Sequence, residues 1–75
     1  MGDPLIVYTV YKHPSDYPEQ WVVRRSEVHP GEIRTDLEPL IVTSSLRDAR
    51  RAVPPFLYRQ PRDPNDDPVI YEIWF

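Results

Sequence analysis

Alternation and clustering of apolar positions divide the chain into four strands and one helix. Leu5 to Lys12 (LIVYTVYK) is rich in β-branched and aromatic residues and predicts a strand. Gln20 to Val28 (QWVVRRSEV) predicts a second. Turn residues from His13 to Pro18 lie between them, and so short a connection favours an antiparallel hairpin. His29-Pro30-Gly31 ends the second strand. Glu32 to Glu38 is polar, stands between Gly31 and Pro39, and reads as loop; Leu40 to Thr43 reads as a short third strand. Ser45 is placed to cap a helix, with Asp48 three residues on, and Leu46, Ala49 and Val53 form one apolar stripe. Pro54-Pro55 stops a helix of roughly nine residues, too short to persist without packing. Phe56 to Pro68 is a proline-punctuated connection, and Val69 to Phe75 (VIYEIWF) is the last strand. The predicted fold is α+β: a four-stranded antiparallel or mixed sheet with one helix on one face, in the order β-β-β-α-β, as a single domain over residues 1–75.

The first and last strands are apolar on both faces. In the last, Val69, Tyr71, Ile73 and Phe75 share one face, while Ile70 and Trp74 flank Glu72 on the other. In the first, Leu5, Val7 and Tyr11 oppose Ile6, Tyr8 and Val10. Both strands are therefore expected at the centre of the sheet and adjacent to each other. One short helix covers one face only. The second face needs the long loops, the Phe56-Leu57-Tyr58 segment or a second copy of the chain, and a homodimer is the expectation.

Composition sharpens this. The chain has 75 residues and no cysteine, so neither disulfides nor a cysteine-bound metal reinforce a small core. A folded chain of this mass exposes about 4,800 Å², which leaves stability marginal and association reasonable. Ten prolines limit helix, and 40% hydrophobic residues still make a folding composition. The net charge of −3 argues against a protein devoted to coating nucleic acid, so nucleic acid is a disfavoured partner. No apolar run is long enough for a membrane helix, and Met1-Gly2-Asp3-Pro4 has neither a signal sequence's basic segment nor a myristoylation pattern. A cytoplasmic, membrane-free protein is expected.

Candidate chemistry is sparse. Two His-Pro pairs carry a carboxylate three residues on, His13 with Asp16 and His29 with Glu32. Such spacing suits a metal or a general base. In an antiparallel hairpin, however, the two histidines fall at opposite ends, roughly 25 Å apart, and two ligands are too few for zinc. Turn punctuation is the simpler reading. Eight arginines against one lysine offer forks suited to carboxylates and phosphates. Arg47, Arg50 and Arg51 are a candidate anion site on the helix. Arg24, Arg25, Arg59 and Arg62 are further members, with Trp21 and Tyr58 available for stacking. Arg24 and Arg25 alternate to opposite faces, and twelve acids can serve as partners, so ordinary ion-paired surface is the competing reading. Pro61-Arg62-Asp63-Pro64 matches P-x-x-P, with flanking acids that fit that mode poorly. The long connection and the end of the chain supply the candidate interaction surface: Phe56, Leu57, Tyr58, Arg59, Arg62 and Trp74. Ser15, Ser26, Ser44 and Ser45 sit in no nucleophile motif, and two glycines make no phosphate loop, so neither an enzyme nor a cofactor is expected.

Tyr8 to Tyr11, His13 to Pro18, Val22 to Arg25, Ser45 to Arg50 and Asp66 to Glu72 together resemble a group of small uncharacterised bacterial proteins. The resemblance covers most of the chain and implies no activity and no site residues. The resulting expectation is a non-enzymatic interaction or accessory module that self-associates, with an unidentified protein as a further partner. The alternative is a weak nucleic-acid or anion binder using the arginines.

Overall fold

Six strands, rather than four, form one antiparallel sheet in the computed structural model, which describes residues 3–60 and 62–75. They are β1 (Leu5–Lys12), β2 (Trp21–His29), β3 (Glu32–Thr35), β4 (Ile41–Thr43), β5 (Arg59–Gln60) and β6 (Ile70–Trp74), with helix α1 (Leu46–Ala52) between β4 and β5. The spatial order is β3-β2-β1-β6-β5, and β4 also pairs with β2. The α+β class, the single helix and the adjacency of the first and last strands agree with the sequence pattern. The extra strands, β3 and β5, lie in segments whose polarity reads as loop.

Pro30-Gly31 explains β3. Gly31 has φ +79°, which suits the third position of a type II turn with proline before it. The chain therefore reverses instead of stopping, and His29 pairs with Glu32 through to Ser26 with Thr35. Further along the same edge of β2, Trp21 to Val23 pair with Thr43 to Ile41. β3 and β4 are thus two halves of one edge strand. Residues 36–40 bulge out between them opposite Arg24 and Arg25, held by Asp36 N–H to Arg25 O and Leu40 N–H to Val23 O. β5 forms because Tyr58 and Phe75 exchange both backbone hydrogen bonds, which aligns Arg59 with Trp74.

Ser45 caps α1, its side chain accepting from the Asp48 N–H at 3.4 Å. The helix is seven residues long, shorter than expected, because Val53 precedes Pro54 and is pushed into extended backbone (φ −73°, ψ 132°). Ala49 and Val53 bury against Val10 and Val23. Tyr8, Trp21, Ile41, Leu46, Leu57 and Trp74 pack around that centre.

The sheet therefore has a helix-covered side, carrying Tyr8, Val10, Trp21, Val23, Glu72 and Trp74, and an open side carrying Leu5, Val7, Val28, Ile33, Ile73 and Phe75. Alternation breaks once, at a bulge that leaves Tyr71 on the helix-covered side and carries Ile70, expected beside Trp74, to the open side opposite Tyr11. The register between β1 and β6 shifts after Val10, so that Tyr71 is the extra residue of a bulge. Its ring meets Trp21 edge-on at 5.0 Å instead of joining Ile73 and Phe75.

Val10 has no solvent exposure and faces Val23 and Glu72 across the sheet. Val10→Ala is expected to lower the unfolding free energy by about 2 kcal/mol. In urea this appears as a lower midpoint with an unchanged m-value; an unaltered midpoint would mean that the core is not centred on this residue.

Candidate functional site

Glu72 lies on the helix-covered side of β6, and only 4% of it is exposed. A buried carboxylate must be paired and hydrogen-bonded. Arg50, from the last turn of α1, provides this with Nε to Oε1 at 2.8 Å and an amino nitrogen to Oε2 at 3.3 Å. Arg59 of β5 adds a third donor to Oε2 at 3.4 Å. The hydrogen bond to Glu72 holds the Arg50 guanidinium even more firmly protonated than usual.

Two recesses meet at this pair of arginines. One, about 500 Å³, is lined by Arg50, Arg59, Gln60, Arg62, Tyr71 and Glu72. The other, about 370 Å³, continues past Arg50 and Arg59 along Val53, Pro54, Pro55, Phe56, Leu57 and Trp74. Three guanidinium groups against one carboxylate leave the first half cationic; the second is mainly apolar beyond the two arginines. Phe56 is fully exposed beside it, with φ +68°, a conformation that is an outlier for so bulky a side chain. The Trp74 indole N–H is buried and finds no acceptor among the described residues.

The predicted interaction surface is partly assembled here and partly divided. Arg59, Arg62, Phe56, Leu57 and Trp74 line the groove, with Leu57 and Trp74 also packed on the core. Tyr58 lies on the open side, edge-on to Phe75 at 5.7 Å. The three helix arginines divide as well. Arg50 turns to Glu72, whereas Arg47 and Arg51 are exposed and make no ion pair among the described residues. Arg24 pairs with Asp16 at 3.3 Å and donates to Leu37 O; Arg25 pairs with Glu27 and Asp36. Arg62 donates to Pro68 O. The P-x-x-P match begins at Pro61, which lies outside the described residues.

Neither histidine takes its sequence-neighbour carboxylate. Asp16 is engaged by Arg24, and Glu32 by Arg34 at 2.7 Å. His29 instead meets Glu27 at 3.0 Å, two residues back on the same face of β2. His13 sits edge-on to Trp21 at 5.6 Å with φ +50°, and it borders a cavity of about 580 Å³ shared with Tyr11, Asp16, Arg24 and Asp67. Lys12 lies over the Trp21 and Tyr71 rings. Among the described residues no group of three or more histidines and acids is placed to hold a metal, and no helix is long and apolar enough to cross a membrane.

Sequence reasoning placed Glu72 between Ile70 and Trp74 but gave it no role. A lone acid in an otherwise apolar strand face is the signal for a buried ion pair. No protein-family model matches the chain, and no curated protein and no solved structure does so either. The groove's chemistry therefore rests on its own side chains.

Arg50→Ala removes two of the three donors to Glu72 and is expected to destabilise the fold by about 2 kcal/mol. Replacing both partners, Arg50→Met with Glu72→Leu, is expected to recover most of the loss, because no charge is then left buried alone. Urea unfolding of the two variants checks this; equal destabilisation would deny the pairing.

Glu27 gives a pH dependence. Its carboxyl is held below the ordinary range first by the His29 hydrogen bond and then by Arg25. With the folded value depressed, this contribution to stability is complete above the ordinary carboxylate range and fades as pH falls through the lowered value. Wild type is expected to be more stable than Glu27→Gln near neutrality, the gap closing below about pH 4. A gap of constant size across that range would remove the assignment.

Proposed function

We propose that the protein is a small non-enzymatic interaction module that self-associates through the open side of its sheet. The observation that carries this reading is a continuous apolar row left exposed at one end of that side, the other end being closed around Val22, which has no solvent exposure. Ile33 (69% exposed), Val28 and Leu5 (50% exposed) stand side by side across β3, β2 and β1. Phe75 and Tyr58 (61% exposed) extend the row toward β5. Apolar patches of this kind mark contact surfaces.

Area supports a second copy as the occupant. The surface of 5492 Å² exceeds the roughly 4,800 Å² typical of this mass by about 700 Å². That excess approaches the ~800 Å² each partner contributes to a standard interface. The radius of gyration of 12.3 Å is likewise above the roughly 11.4 Å of a compact chain of this length. Charge supports it too. Glu27, His29, Glu32 and Arg34 all alternate to the helix-covered side, and Arg24, the charged residue of β2 on the open side, is already paired with Asp16.

The enzyme reading has less behind it. Every group whose protonation is displaced, Arg25, Glu27 and Arg50, is already held in an ion pair or hydrogen bond of the fold. The nucleic-acid reading is weakened because most of the arginines are committed to carboxylates or backbone carbonyls.

Light scattering coupled to size-exclusion chromatography is expected to give twice 8.9 kDa at micromolar concentration. Ile33→Asp, on an exposed edge position, is expected to shift the species to 8.9 kDa while the far-ultraviolet circular dichroism stays unchanged. A wild-type species of 8.9 kDa throughout would sink the proposal.

A further inference from the structure

We infer that the groove around Arg50 and Arg59, on the opposite side of the sheet from the open apolar row, docks an extended acidic peptide segment. The segment carries a carboxylate and, two positions away, a bulky apolar side chain. This inference is independent of self-association, since the two surfaces lie on different sides.

The cationic half gives the charge argument. Glu72 neutralises one of three guanidinium groups, and its oxygens already receive three N–H donors. The remaining donors of Arg50, Arg59 and Arg62 face an open recess, and Arg50 and Arg59 keep 43% and 57% of their side chains exposed. Guanidinium forks match a carboxylate in a fixed geometry. Glu72 also braces Arg50 and Arg59, so less side-chain freedom is lost when a ligand arrives.

The apolar half supplies the second determinant. Val53, Pro54, Pro55 and Leu57 form a wall of rigid or core-anchored groups, and Phe56 stands free at its rim. Holding Phe56 in left-handed backbone, with its ring in water, is unfavourable twice over. A ligand side chain lying against that ring would bury it. Because both halves share Arg50 and Arg59, the two determinants are close neighbours. Side chains two positions apart in an extended peptide project to the same side at about 6.6 Å, which fits such a pair of subsites. A polyphosphate makes no use of the proline–phenylalanine wall.

The test is an NMR titration with the peptide acetyl-Gly-Glu-Thr-Leu-Gly-amide. Only two indole N–H signals exist, from Trp21 and Trp74, and Trp74 lines the groove. The expected result is a saturable shift of the Trp74 signal and of the Arg59 and Gln60 amides, with Val28 and Ile33 on the open side unmoved. Arg59→Gln and Arg62→Gln, both at exposed positions, are each expected to weaken binding by about tenfold. Phe56→Gly relieves the backbone strain, so its melting midpoint should not fall while affinity does. That combination separates docking from a structural role. Replacing Glu by Lys in the peptide is expected to abolish the shift. The inference is overturned if neither half of the groove responds, if the Lys peptide binds equally well, or if inorganic phosphate alone gives the full response. It is also overturned if a single-stranded oligonucleotide binds there with a steep salt dependence while the peptide does not.

Discussion

One buried carboxylate ties together the parts of this fold that local sequence leaves independent. Glu72 lies in a central strand, buried on the side of the sheet that carries the helix, where an unpaired charge would cost several kcal/mol. Arg50 reaches it from the helix and Arg59 from the short outer strand. A seven-residue helix and a two-residue strand are both too short to be stable alone. Satisfying one carboxylate from both fixes where each is placed on β6. The ion pair is thus best understood as specifying position, while Val10, Val23, Ala49 and Val53 supply the apolar burial.

Much of this architecture was legible in the chain. The bounds of β1, the antiparallel hairpin with β2, the Ser45 cap and the Leu46–Ala49–Val53 stripe each express a strong local rule, and tertiary structure did not override any of them. β3 was not legible, because Glu32 to Thr35 is exposed and holds a single apolar residue, Ile33, which leaves no apolar alternation to read. β5 was hidden for a related reason: its pairing is decided by Phe75, fifteen or more residues away. Tyr71 shows the limit of alternation itself, since a single bulge residue moved its ring to the other side of the sheet.

The site was legible as a list and not as a geometry. Arg50, Arg59, Arg62, Phe56, Leu57 and Trp74 all stood out by residue type. Nothing local indicated that Arg50 would part from Arg47 and Arg51, or that Tyr58 would part from its two neighbours. Those separations follow from which face of α1 looks toward Glu72 and from strand alternation through β5. The two histidine–carboxylate spacings, for which turn punctuation was the simpler reading, do not come together as pairs. Their spacing looked chemical, but stronger partners nearby, Arg24 for Asp16 and Arg34 for Glu32, had already claimed the carboxylates.

The divided edge strand has a bearing on how many copies can gather. A long straight edge invites another chain to add on, and then another, without end. Here one edge is interrupted by residues 36–40, with Pro39 among them, and the other is only two residues long. Neither offers a template for fibre growth. The proposed contact through the flat of the sheet, by contrast, would use up the apolar surface of both molecules at once. The same five-residue interruption that costs the sheet its regularity therefore denies a growing fibre the continuous edge it needs.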